Sequence, residues 1–173
     1  MKTTRALVAL LCSLSLICCN RSGARYQDQL LKAIEQADAV VIVEHSDRED
    51  FFESESTDLA DPPRYEYGRV NLDEGAIRQF SADVRNMAPA TQDEWPACIF
   101  EAHHTILFYE GESVASTMRV CIKCAEVKWD GTKETNPKAL ITCLKPIITR
   151  AGFQTERDWP ALAKRQSERL GGQ

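Results

Sequence analysis

Two short stretches, AVVIV at 39–43 and TILFYE at 105–110, are apolar at odd and even positions alike. Side chains in an extended strand face alternate sides, so such runs need cover on both faces and belong inside a sheet. Helical stripes at three- and four-residue spacing flank them. Tyr26, Leu30, Ala33, Ile34 and Ala37 form one in 24–37, and Ile77, Phe80, Val84 and Met87 form another that ends at Pro89. Asn71, with Glu74 three residues on, resembles a capping box and places the start of that second helix. Asn136-Pro137 should open a third, with Leu140, Ile141, Leu144, Ile147 and Ile148 on its buried side, Pro146 kinking or splitting it and Ala151-Gly152 closing it. A fourth starts near Asp158-Trp159-Pro160, and Tyr65–Val70 reads as a short strand near a sheet edge. This order predicts an α+β domain, with a mostly antiparallel sheet of about four to five strands and helices packed chiefly on one face.

One strand breaks phase. Met118, Val120 and Ile122 hold even positions, whereas Ala125, Val127 and Trp129 hold odd ones. Because strand side chains repeat every two residues, the slip needs an inserted bulge residue or a two-residue hairpin turn at Ile122-Lys123. Ile-Lys is poor chemistry for a turn requiring positive φ, so a bulge is expected, with Cys121 and Cys124 both on the more polar face.

The N-terminal segment is of another kind. Lys2 and Arg5 precede an apolar run, 6–17, that is shorter than the roughly 20 residues of a permanent bilayer span and fits the core of an export signal. Leu16-Ile17-Cys18-Cys19 resembles the lipobox of bacterial lipoproteins, in which Leu stands three residues before a Cys that is lipidated and becomes the new N-terminus. Ile17 and Cys18 stand where that family has small residues. The resemblance covers the signal segment alone. It implies a signal peptide over 1–18, lipidation at Cys19, a short tether over 19–24 and a single domain over 25–173. The domain would be held on a membrane of the cell envelope, facing the periplasm or exterior, by acyl chains at ~0.8 kcal/mol per buried methylene. The alternative is a soluble secreted protein cut after Ala24, with Ser22 and Ala24 as the small residues and Arg21 counting against the cut.

Without Lys2 and Arg5 the 21 Lys and Arg become 19 against 26 Asp and Glu, a net charge of −7. With no basic helix or arginine-rich run, that balance argues against a nucleic-acid partner. A segment of eight acids against one Arg48, from Glu44 to Asp61, is expected to be a solvated surface loop closed by Pro62-Pro63. It lacks the regular spacing of a calcium loop.

Four body cysteines remain: Cys98, Cys121, Cys124 and Cys143. An even count in an oxidising compartment predicts disulfides, and four cysteines allow three connectivities. In a straight strand Cys121 and Cys124 would stand about 10 Å apart, so pairing with a distant Cys98 or Cys143 fits at least as well as a bond between them. One of His103 and His104 with Cys121 and Cys124 would make a zinc or copper site, although neither pair has a complete zinc-motif spacing. No cofactor is expected beyond that. No Gly-x-Ser-x-Gly elbow, HExxH helix or phosphate-cradling glycine loop is present. The leading expectation is a membrane-tethered, non-catalytic envelope lipoprotein with a binding or accessory role, one that binds a partner, such as another envelope protein, or assists an assembly. A metal-binding or thiol-active envelope protein and an inhibitor or immunity-type protein acting on an envelope enzyme are the alternatives.

Overall fold

The computed structural model describes residues 21–51, 63–91 and 97–171. The signal segment, Cys19 and the acidic positions Glu53, Glu55, Asp58 and Asp61 lie outside them. Helix α1 covers 21–36 and leads into strand β1, Ala39–His45, followed by a 3-10 turn at Arg48–Phe51. Then come β2 (Glu66–Asn71), α2 (Glu74–Asn86), β3 (His104–Glu110), β4 (Ser113–Cys121), β5 (Glu126–Trp129), α3 (Leu140–Arg150) and α4 (Trp159–Gly171). The five strands form one sheet in the order β2-β1-β3-β4-β5, with every neighbouring pair antiparallel. The expected α+β architecture is therefore present, with both continuous apolar runs in interior strands.

The register aligns Ile42, Ile106, Met118 and Trp129 across the sheet, which puts them on one face with Val40, Phe108, Val120 and Val127. Leu30 and Ile34 of α1, Phe80 and Val84 of α2, and Leu144 and Ile147 of α3 bury that face. Each helix brings an apolar stripe at three- and four-residue spacing, so one layer of helices closes the core. Gln27 of α1 donates from Nε2 to the Val84 carbonyl at 2.6 Å and to those of Arg85 and Met87, tying α1 to the C-terminal end of α2.

Several local expectations are corrected. The cap of α2 is Asp73, whose carboxylate accepts from the Ala76 N–H at 2.8 Å; Asn71 is the last residue of β2, paired with Val41. Asn136-Pro137 does not open α3. Pro137 bridges to Thr91, and the helix begins at Leu140. α3 runs on through Pro146, because Pro146 and Thr142, whose carbonyl the proline leaves unbonded, both face solvent. The phase slip is a hairpin and not a bulge. β4 and β5 pair from Met118↔Trp129 to Cys121↔Glu126 around the four-residue loop 122–125, and an even loop length sets even positions opposite odd ones. Ala125 takes the positive φ, 51°, that closes this turn. Cys121 pairs with Glu126 and so lies on the more polar sheet face with Arg119 and Lys128, whereas Cys124 is in the loop; both are buried, at 0% and 5% exposure.

Bulges do occur elsewhere. Glu44 pairs with Gly68 but His45 with Glu66, leaving Tyr67 as the extra residue on β2. A bulge re-aims the side chain it carries. Helix α1 already includes residues 21–24 of the segment 19–24 read from sequence as a tether.

Candidate functional site

β1 and β3 carry their core-facing parity past the apolar residues into polar ones. Val40 and Ile42 are followed two residues on by Glu44, and Phe108 and Ile106 are preceded by His104, so Glu44 and His104 face each other across the pair. Both are buried, at 2% and 1% exposure. Glu44 Oε1 lies 3.7 Å from His104 Nε2, longer than a hydrogen bond, and Glu44 Oε2 pairs with the Arg157 guanidinium. Burial alone would raise the Glu44 pKa. The His104 ring, the Arg157 charge and the Gln154 backbone outweigh it and hold the carboxyl below its ordinary value.

Arg157 comes from the turn after α3. Gly152, at φ +89°, ends that helix, and Phe153 then folds back over β2. A Cβ at Gly68 would stand 2.7 Å from Phe153 Cε1, so only glycine allows this approach. Asp158 then caps α4, accepting from the Ala161 N–H at 3.0 Å, and sets Trp159 as the helix's first residue.

Trp159 joins the parts. Its ring stacks on His103, with centroids 4.2 Å apart and planes within 5°, and on Tyr67 at 6.4 Å, while its edge meets His104 at 5.8 Å. His103 Nε2 lies 2.9 Å from Asp50 Oδ1, and both side chains are buried. The two adjacent histidines thus have separate carboxylate neighbours, Asp50 for His103 and Glu44 for His104, and share one indole. Asp50 is placed by the 3-10 turn, where Asp47 N–H donates to its carboxylate at 2.8 Å and Asp47 in turn accepts from Ala102 N–H at 3.0 Å. The start of the acidic run is therefore not a solvated loop. Glu44, His45, Ser46 and Asp50 are all buried.

A cleft of about 460 Å³ opens over this arrangement, lined among others by His104, Lys123, Lys145, Glu156, Arg157 and Trp159. Neither ring nitrogen of His104 has a hydrogen-bond partner among the described residues, nor does Glu44 Oε1.

The third histidine lies on the opposite sheet face. Burial foremost, with the Arg64 charge adding, pushes the His45 pKa down to about 4, against the opposing effect of the Ser46 carbonyl. The neutral ring donates from Nδ1 to Ser46 O at 2.8 Å, and its Nε2 accepts from Arg64 and sits 2.8 Å from Thr105 Oγ1. Arg64 also donates to Thr105 Oγ1 at 3.1 Å. With its lone pair engaged by a cation, His45 does not act as a base toward Thr105.

The cysteines divide unevenly. Cys98 and Cys124 form a disulfide with Cα atoms 5.7 Å apart, tying the 97–103 strand entry to the hairpin tip. Cys121 and Cys143 are free thiols, so a second bridge is not made. Cys143 contacts the Asp83 carbonyl on α2, whereas Cys121 sits inside the hairpin and accepts from Cys124 N–H at 3.3 Å. The Cys121/Cys124/histidine set is not assembled, because the Cys124 sulfur is spent on the disulfide. Among the described residues, no three His, Cys, Asp or Glu side chains gather as a metal site would require. Glu44, Asp50, Arg157 and Trp159 were missed in the sequence reading. For Glu44 a signal existed, an acid on the core-facing parity of an apolar strand.

No family model, curated protein or solved structure matches this chain.

Proposed function

We propose that this protein is a membrane-tethered, non-catalytic envelope lipoprotein, anchored through Cys19, whose body binds a ligand or partner at the histidine cleft. The observation that carries the anchoring reading is the part residues 21–24 take in the fold. Ser22 Oγ donates to Glu134 at 2.8 Å and accepts from Thr135 N–H at 2.9 Å, and a Cβ on Gly23 would stand 1.8 Å from the Pro89 carbonyl oxygen. A cut after Ala24 would remove these contacts, whereas processing at Cys19 keeps them all. It also leaves Asn20 alone between the lipid and α1, so the body would rest directly against the bilayer surface. The binding reading is supported by a buried polar floor under an open cleft. Cys19→Ala should move the protein from the membrane fraction to the soluble fraction with its thermal unfolding unchanged; retention in the membrane would reject the anchor.

A thiol-active role is the second reading, favoured by the Cys121 thiol held against Cys124 in the same hairpin. It predicts exchange of the Cys98–Cys124 bridge to Cys121–Cys124 in the native protein, readable by peptide mapping after alkylation in acid.

A further inference from the structure

Desolvating a polar group without a partner costs roughly 1–3 kcal/mol, so buried imidazoles are ordinarily bonded. His104 is not. It is 1% exposed and lines the cleft; Glu44 Oε1 stands 3.7 Å from Nε2, beyond hydrogen-bond reach, and neither ring nitrogen has a hydrogen-bond partner among the described residues. The charges above it sort into committed and uncommitted groups. Lys123 is held by Glu101 at 2.7 Å and Arg157 by Glu44, so these two cations are neutralised in place. Lys145 on α3 and Glu156 on the turn before α4 also line the cleft, and neither has an ion-pair partner among the described residues. Among the described residues the lining thus offers one free positive charge, one free negative charge and one buried polar contact. A ligand of a single charge would be attracted by one of these two side chains and repelled by the other. One carrying both charges is matched by both.

We propose that the cleft binds a small zwitterion of the free amino-acid or dipeptide class, with its carboxylate toward Lys145, its ammonium toward Glu156 and a polar group on His104. The volume of about 460 Å³ falls in the range of small-molecule sites and admits a molecule of that size. This inference rests on the reading of the body as a binding domain and is independent of the anchor.

The test is isothermal titration calorimetry of the full processed protein in detergent with alanine, glutamate, lysine, phenylalanine and alanylalanine. N-acetyl-alanylalanine and alanylalanine amide, which each keep a single charge, serve as controls. At least one zwitterion should bind saturably, and its singly charged counterparts at least tenfold more weakly. Lys145→Ala and Glu156→Ala change exposed side chains, leave the fold intact and should each weaken binding about tenfold; His104→Gln should weaken it further. No saturable binding by any zwitterion, or equal binding by a control of one charge, would overturn the proposal. Membrane association measured on the same preparation separates the two failures, since loss of the ligand with retention in the membrane strikes the cleft assignment and not the lipoprotein reading.

Discussion

The titration of His45 couples directly to stability. Its pKa falls from the ordinary 6.5 to about 4 in the fold, so the unfolded chain takes up a proton first as the pH drops. The contribution is complete above about pH 6.5 and is lost progressively toward pH 4, amounting to about 3 kcal/mol at 1.36 kcal/mol for each factor of ten. Urea unfolding across that window should show the loss, and His45→Gln, which cannot take the proton, should flatten it. An equal slope in both proteins would contradict the assignment. Glu44 acts in the same direction at lower pH, because a carboxyl held below its ordinary value stabilises the fold until it protonates. At the cap of α2, Asp73→Ala should cost about 1 kcal/mol, measured by thermal unfolding.

Among the elements, the β4–β5 hairpin is the most informative. Its disulfide closes a loop with a sequence separation of 26, worth about 3–4 kcal/mol by chain entropy, so replacing Cys98 and Cys124 by Ser should lower stability by about that amount. Thiol titration of the denatured, processed protein should give two thiols before reduction, Cys121 and Cys143, and four after; any other count rejects the pairing. The hairpin also marks the limit of what was legible in the chain. Apolar periodicity located β1, β3 and the helical stripes, since burial of one face leaves a repeating trace in sequence. It recorded the phase reversal at 122–125 but not its cause, because a bulge and an even hairpin loop leave the same parity. The cap of α2 was misplaced for a similar reason: Asn71 and Asp73 are both good caps, and only the length of β2 decides between them. The site was less legible still. His103 and His104 stood out by residue type. Their carboxylate partners, Arg157 and Trp159 lie far away in the chain and meet only through the antiparallel register and the return of the chain after Gly152.

On the scale of the whole molecule, one helical layer covers one sheet face, and the polar cluster lies at the end of that face, where β1 and β3 run out of apolar residues. The other end of the account is α1, whose first described turn is locked to Pro89, Glu134 and Thr135. The described part of α1 begins two residues after the candidate lipidation site Cys19, and the proposed anchor there places the domain at a membrane surface with a cleft formed by elements remote in sequence from that anchor. The decisive measurement is the intact mass and N-terminal peptide of the protein extracted from membranes. This account predicts a chain that begins at an acylated Cys19; an unmodified chain that begins at Arg25 and is recovered in the soluble fraction would contradict it.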